Sequence, residues 1–328
     1  MLQKTKMRTQ RLAIESIDSR RRFHRRVQGV AAALLPFKSN GRIAVEAFQR
    51  HLVATHSAGL MNAVNMDTGY VNYLSETQKR NVLKWAREAL GKDVPFVAGA
   101  YIENLDGNIV TLYRRQLDSI TAVGGIPILF QTARLKRKPG RELAATYQAV
   151  CRGHKNVLAF ELGSMFAPNG EILPTETFVR LMDIPEITGM KHSSLDRLLE
   201  MERLALRDQH RPDFQIFTGN DLAINMIEYG SDYLLGLATF APEKFAERDR
   251  LWQCGDPAYY AVSDALQYLG NVAFRDPVPA YKHSAALFLH LCGRIPMAKT
   301  HPKSPKRPAG EIRWLQDCAR RLSDCQAG

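Results

Sequence analysis

Lys191 stands in the sequence setting that most favours covalent chemistry. It ends the apolar run 187–190, so its amine is expected at the end of a buried strand with apolar neighbours behind it. A free lysine has a pKa of about 10.4, and desolvation that lowers this to between about 7 and 8 costs roughly 3 to 4 kcal/mol but yields a nucleophilic amine. This position is compatible with a lysine that attacks a carbonyl carbon. A lysine held in a salt bridge at a strand end is the structural alternative.

The elements around Lys191 follow a repeating pattern. Short apolar runs alternate about eight times with segments of helical period, which is typical of βα units and a parallel sheet. The predicted strands cover residues 29–35, 60–66, 94–101, 126–130, 157–162, 187–191, 214–218 and 233–237. Eight such units in roughly 210 residues predict a (β/α)8 TIM barrel, with a doubly wound sheet as the alternative.

A barrel of this kind carries its reacting groups at the carboxyl ends of its strands. We expect residues 1–26 to form a basic arm and residues 27–240 to form the barrel. Residues 241–328 are expected to form a helical extension. Prolines at Asp256-Pro257 and Asp276-Pro277 interrupt the helical pattern and divide this extension into several helices.

The net charge of +12, from 45 Lys and Arg against 33 Asp and Glu in 328 residues, lies mainly at the two ends. Residues 1–26 carry +7 and residues 299–328 carry +4, which leaves +1 for the rest. The body is nearly neutral, so we expect no nucleic-acid partner. The arm is expected to be a solvated segment or a strap between subunits.

Several other classes are disfavoured by the sequence. No stretch approaches the roughly 18 apolar residues of a membrane span, and the five cysteines form no CxxC pair. We therefore expect a cytoplasmic protein without a membrane partner. The nine histidines show no metal-ligand spacing, and neither a GxGxxG motif nor a P-loop is present, so neither a metal nor a cofactor is expected.

The segment 187–194, Ile-Thr-Gly-Met-Lys-His-Ser-Ser, resembles the Schiff-base strand of the dihydrodipicolinate synthase and N-acetylneuraminate lyase family. Other segments resemble family landmarks in the same order, and they are 29–41, Asp67-Thr68-Gly69, 217–221 and 230–236. The resemblance spans residues 29–322. It implies that Lys191 forms a Schiff base with a small carbonyl compound, as in a class I aldolase. It also implies a homo-oligomer, either a dimer or a tetramer.

The sequence departs from the family pattern at groups that handle the substrate. The family tyrosine at the end of strand five falls at Phe160 or Glu161, and no arginine follows it. The family's second tyrosine falls at Leu129 or Phe130. Asp67 replaces a threonine and would repel a 2-oxo acid carboxylate unless it is protonated or paired. We therefore expect a substrate other than plain pyruvate, either another 2-oxo acid or a sugar-derived carbonyl compound.

Glu161 is the predicted catalytic acid or base beside Lys191, because iminium chemistry needs a proton donor and acceptor within hydrogen-bond reach. The alternative is that Glu161 pairs with Lys191 and keeps it charged. Predicted substrate-binding residues are Asp67, Thr68, Gly69, Phe160 and Gly236. Besides an aldolase-type lyase or synthase, two functions stay open, which are a Schiff-base hydratase or dehydratase of a 2-oxo sugar acid and an inactive barrel that binds a ligand as a sensor or scaffold.

Overall fold

A computed structural model describes residues 14–325 and contains a closed barrel of parallel strands. Each strand pairs with the next along the chain, and the first strand pairs with the last. The strands are β1 (Gly29–Ala32), β2 (Met61–Val64), β3 (Phe96–Ala100), β4 (Gly125–Leu129), β5 (Val157–Leu162), β6 (Ile187–Ser193), β7 (Gln215–Thr218) and β8 (Asp232–Leu235). The predicted (β/α)8 barrel is confirmed, and the doubly wound alternative is wrong.

Helices surround the barrel and extend beyond its last strand. Those described up to β8 are α1 (Ile14–Asp18), α2 (Val45–Ser57), α3 (Glu76–Leu90), α4 (Ile109–Thr121), α5 (Ala133–Lys136), α6 (Gly140–Cys151), α7 (Thr175–Met182) and α8 (Arg197–His210). The helices after β8 are α9 (Pro242–Cys254), α10 (Ala258–Ala273), α11 (Tyr281–Leu291) and α12 (Ile312–Asp324). None of the helices between residues 14 and 325 is both long and apolar enough to cross a membrane.

Local sequence signals explain where several elements begin. Ser75 and Gln78 form a capping box at the start of α3, in which the Ser75 hydroxyl accepts from the Gln78 N–H at 3.2 Å and the Gln78 side chain accepts from the Ser75 N–H at 2.9 Å. The segment after β7 forms a short 3-10 helix, Ile224–Tyr229. Its start is delayed because the Asn220 side chain accepts from the Leu222 N–H at 3.1 Å, and this local turn competes with helix formation.

The described part of the N-terminal arm is held on the barrel by ion pairs. Arg25 donates to Asp232 at 2.7 Å, and Arg21 lies 3.3 Å from Glu228. Phe23 stacks on Trp252 with 5.3 Å between the ring centroids. The arm is therefore a strap against its own chain, and its paired arginines bind acids of that chain.

Candidate active site

Lys191 lies near the carboxyl end of β6, with its side chain in the mouth of the barrel. The residue is 9% exposed, and its ammonium nitrogen is 4.7 Å from the centre of the Phe160 ring. Among residues 14–325, no carboxylate oxygen lies within 4.0 Å of that nitrogen. Burial lowers the pKa of the Lys191 amine to about 8, against smaller opposing effects of the Asp221 and Asp67 carboxylates. A useful fraction of this amine is therefore neutral near physiological pH.

Gly219, which follows β7, provides the space that the Lys191 side chain occupies. A Cβ atom at this position would lie 2.6 Å from Cε of Lys191 and 1.9 Å from Oγ of Ser193. Both contacts are far inside van der Waals distance, so a larger residue would displace the lysine. A glycine at the end of the neighbouring strand thus leaves the space that the Lys191 side chain occupies.

Asp221 is a second titratable group in the same cavity, and the sequence reasoning placed it only in a family turn. Its Oδ1 accepts a hydrogen bond from the Leu237 N–H at 2.7 Å. Burial nevertheless raises the pKa of Asp221 to about 7, because it outweighs this backbone bond and the charge of Lys191. The sequence feature that could have identified Asp221 as a site residue is its position two residues after Gly219, just beyond the end of β7. A carboxyl group that titrates near neutrality can both donate and accept a proton.

Asp67 lies at the opposite wall and is paired with a lysine from the C-terminal helices. The Lys282 ammonium nitrogen is 2.9 Å from one Asp67 oxygen and 3.0 Å from the other. The Tyr281 hydroxyl donates to Asp67 at 3.0 Å and lies 2.8 Å from Oγ1 of Thr68. Two site residues at the start of α11, Tyr281 and Lys282, were therefore not predicted from the sequence. The visible signal was a lysine within an apolar helix, which needs a buried partner.

Aromatic rings form another wall of the cavity. Tyr101 packs edge-on against Phe130 with 5.7 Å between ring centroids, and Phe130 packs likewise against Phe160 at 5.1 Å. Phe160 then faces the Lys191 amine, a favourable cation–π arrangement. Leu162 and Phe166 also line this side. The Lys191 amine is thus bordered by apolar surface on one side and by polar groups on the other.

The cavity has a volume of about 140 Å³, room for on the order of ten water molecules and hence for a small ligand. Of the predicted site residues, five line it, namely Asp67, Thr68, Phe160, Gly236 and Lys191. Gly69 does not line it. This glycine is buried beneath the wall, where a Cβ atom would lie 3.4 Å from the Ala33 carbonyl oxygen.

Glu161 lies on the opposite face of β5, outside the cavity. Its Oε1 contacts Nδ1 of His192 at 2.5 Å and accepts from the Arg203 guanidinium at 3.0 Å. Its Oε2 accepts from the Leu173 N–H at 2.9 Å. Side chains alternate along a strand, so Phe160 points into the barrel and Glu161 points toward the surrounding helices. The structure brings Glu161 neither to the Lys191 amine as an acid or base nor to an ion pair with it.

The described residues 14–325 contain no group of three or more His, Cys, Asp or Glu side chains arranged to hold a metal ion. No arginine lines the cavity, and within the described part of the chain Lys191 is its only lining lysine. The polar groups available to a ligand are therefore an amine, two carboxylates, hydroxyls and amides.

A family profile and related proteins of known sequence both point to one protein family. The profile of the Dihydrodipicolinate synthetase family matches residues 26–280. A 4-hydroxy-tetrahydrodipicolinate synthase of Kosmotoga olearia is 25% identical over 227 residues, covering 67% of this chain and 74% of that protein. The synthase of Parasynechococcus marenigrum is 27% identical over 258 residues, covering 76% of this chain and 82% of its own.

Solved structures show the same fold at lower identity. A monomeric dihydrodipicolinate synthase variant superposes with a TM-score of 0.78 at 19% identity, covering 92% of this chain and 98% of its own. YagE, a prophage protein from E. coli K12 solved with pyruvate, superposes with a TM-score of 0.79 at 15% identity, covering 90% and 98%. The barrel and its C-terminal helices are therefore shared with these proteins.

Proposed function

This chain belongs to the dihydrodipicolinate synthetase family of carbon–carbon lyases, and we propose that its Lys191 forms a Schiff base with a small carbonyl compound other than plain pyruvate. The observation that carries the proposal is the Lys191 amine itself, which borders the cavity with its pKa lowered to about 8. At pH 7 about one such amine in ten is neutral and able to attack a carbonyl carbon.

In the proposed reaction, the neutral Lys191 amine adds to the substrate carbonyl to give a carbinolamine. Asp221, with a pKa of about 7, donates a proton to the carbinolamine hydroxyl, which leaves as water and gives the iminium ion. A base then takes the proton of a hydroxyl on the β carbon. The bond between the α and β carbons breaks, an aldehyde or ketone leaves, and the electron pair forms an enamine. Protonation of the enamine and hydrolysis release the second product and the free amine.

Two features support a substrate other than plain pyruvate. No arginine from residues 14–325 lines the cavity, so the wall lacks a cation with two parallel donors for a carboxylate. The other cation at this wall is already paired, because the Lys282 ammonium nitrogen lies 2.9 and 3.0 Å from the two Asp67 oxygens. This ion pair answers the charge problem that the sequence raised, but it commits Lys282 to Asp67 rather than to a ligand.

We also propose a homo-oligomeric, cytoplasmic enzyme that needs no cofactor, since a Schiff-base lysine supplies its own electron sink. The five cysteines are all free thiols, which fits a reducing compartment. Sedimentation of the purified full chain measures the subunit count. The monomeric variant among the structural relatives means that a single subunit is a possible outcome of that measurement.

The test is reduction of the enzyme with borohydride in the presence of a panel of 2-oxo acids and ketoses, followed by intact mass and peptide mapping. A covalent adduct at Lys191 is expected with at least one compound. It should be absent in Lys191→Met and retained in Lys84→Met, a matched change at a lysine whose side chain is 71% exposed. Absence of a Lys191 adduct with every compound would refute the Schiff-base proposal.

Product analysis then identifies the reaction. A lyase converts the adduct-forming compound into two carbonyl fragments, whereas a dehydratase returns one product that has lost water. Ligand affinity without turnover, retained in Lys191→Met, would instead identify a binding barrel.

A further inference from the structure

The wall around Thr68 contains a hydrogen-bond chain whose direction is fixed by charge. Asp67 is held as a carboxylate by two contacts with the Lys282 ammonium, at 2.9 and 3.0 Å. Lys282 is 3% exposed, whereas the Asp67 side chain is 38% exposed, so the cation of this pair is buried and the carboxylate borders the open mouth of the barrel. An ionised carboxylate only accepts hydrogen bonds. The Tyr281 hydroxyl, 3.0 Å from Asp67, must therefore donate its single proton to it.

The same reasoning sets the role of the Thr68 hydroxyl. Because the Tyr281 proton goes to Asp67, the Tyr281 oxygen acts as acceptor in its 2.8 Å contact with Thr68. Thr68 then donates its own proton to Tyr281. Within the described residues Oγ1 of Thr68 has no second partner, and the residue is 2% exposed at the cavity wall. What the Thr68 hydroxyl presents to a ligand is therefore a pair of unshared electron pairs and no proton.

The packing around this chain holds it in place. The Tyr281 ring stacks on Phe274 with 4.4 Å between centroids and an angle of 16°. A Cβ atom at Gly236 would lie 3.1 Å from the Tyr281 ring and 3.3 Å from Oγ1 of Thr68. The absence of a side chain at Gly236 thus lets the tyrosine reach the threonine, and the stacked ring keeps its hydroxyl pointed at Asp67.

We propose that this wall binds a hydroxyl group on the carbon next to the substrate carbonyl, which makes the substrate a neutral α-hydroxy ketone or aldehyde. The inference rests on the proposed Schiff-base function for the placement of the carbonyl at Lys191. A ligand hydroxyl donates to Thr68 and satisfies it. A carboxylate at the same place has no proton to offer and faces the lone pairs of the Thr68 hydroxyl. Sites that bury a polar group discriminate strongly against ligands that leave it unpaired.

The test compares hydroxyacetone, acetone and pyruvate as trapping probes for Lys191, since hydroxyacetone and pyruvate differ mainly in a hydroxymethyl against a carboxylate group. Each is titrated with cyanoborohydride, and adduct at Lys191 is normalised to adduct at the exposed Lys84 in the same sample. We expect half-maximal trapping by hydroxyacetone at a concentration at least about tenfold below that of pyruvate. Equal or better trapping by pyruvate would overturn the inference.

Variants test the direction of the hydrogen-bond chain. Thr68→Val should remove the preference for hydroxyacetone over acetone, and Thr68→Ser should retain it. Tyr281→Phe frees the Thr68 proton for donation to a ligand, so the ratio of pyruvate to hydroxyacetone trapping should rise. An unchanged hydroxyacetone preference in folded Thr68→Val, verified by circular dichroism, contradicts the assignment. If Thr68→Val fails to fold, the ratio of pyruvate to hydroxyacetone trapping in Tyr281→Phe tests the assignment, and an unchanged ratio contradicts it.

A non-covalent measurement separates this inference from the proposed reaction. In Lys191→Met, saturation-transfer NMR compares 1,2-propanediol with lactate, the alcohols that correspond to hydroxyacetone and pyruvate. Stronger transfer to 1,2-propanediol is expected, and stronger transfer to lactate contradicts a hydroxyl-accepting wall. If no probe is trapped at Lys191 yet 1,2-propanediol is preferred, the Schiff-base reaction is refuted while the role of Thr68 stands.

Discussion

Replacing Asp221 with asparagine is expected to lower the pKa of the Lys191 amine further below its value of about 8. Burial already brings this pKa down from an ordinary 10.5, and the Asp221 carboxylate opposes the effect by stabilising the ammonium. At pH 7 about one Lys191 amine in ten is neutral, against about one in three thousand for an ordinary lysine. Burial therefore increases the reactive fraction by roughly 300-fold. Loss of the carboxylate charge should increase it again.

Competitive acetylation with a trace of acetic anhydride measures this change. The reaction is run between about pH 5 and 11, and the Lys191 peptide is quantified against the Lys84 peptide of the same digest. The wild-type profile should have its midpoint near 8, and the Asp221→Asn midpoint should lie at lower pH. Asp213→Asn makes the same substitution at an aspartate whose side chain is 78% exposed, and it should leave the profile unchanged.

The sign of the shift makes the experiment decisive. A carboxylate raises the pKa of a nearby amine, so its neutralisation can only lower that pKa if the two groups interact directly. A wild-type midpoint near that of Lys84 would refute the claim that burial activates Lys191. An upward shift in Asp221→Asn would refute the placement of Asp221 as the carboxyl group that interacts with the amine.

Three further predictions concern the residues around the amine. Gly219→Ala should abolish reductive trapping at Lys191, because its Cβ would lie 2.6 Å from the lysine side chain, while Gly310→Ala, with open space around it, should trap normally. Glu161→Gln leaves the buried Arg203 without its carboxylate, so the free energy of unfolding measured in urea should fall by about 3 to 5 kcal/mol. A folded Glu161→Gln variant should still form the trapped adduct at Lys191. Loss of trapping in that folded variant would restore Glu161 as the acid or base. Lys191→Met should raise the unfolding free energy at pH 7 by up to about 3 kcal/mol, because burial opposes the ammonium that the unfolded chain carries freely. This gain should be full below the folded pKa of about 8 and should disappear as the pH rises toward 10.5, and a gain independent of pH would contradict it.

The barrel could be predicted from the sequence because its strands are apolar runs separated by helical periods. β5, for example, has the predicted bounds Val157–Leu162. The continuous apolar character of β5 gave no indication of which side chains point into the barrel. A strand buried on both faces shows no alternation of polar and apolar residues, so nothing in this run told Phe160 from Glu161 as the inward residue. The pairing of Phe160 with Lys191 and of Glu161 with His192 across β5 and β6 decides it.

The contribution of α11 could not be predicted for a different reason. Tyr281 and Lys282 reach Asp67 and Thr68 from more than 200 positions along the chain. Contacts between such distant segments depend on how the C-terminal helices pack against the barrel mouth, and no local pattern in the helix specifies that packing. The position of Lys191 at a strand end could be predicted from the sequence because its own strand places it, whereas Tyr281 and Lys282 are placed by tertiary packing.

The start of α11 contributes part of the cavity wall, although it follows all the described strands of the barrel in the sequence. During synthesis every strand is complete at Leu235, yet the chain still lacks Tyr281 and Lys282 at that stage. A nascent or truncated chain that ends there contains Lys191 but leaves Asp67 without the Lys282 cation and Thr68 without the Tyr281 hydroxyl. The same separation lets evolution alter the accepted substrate through a helix that forms no part of the sheet, while the strand that carries the lysine stays as it is.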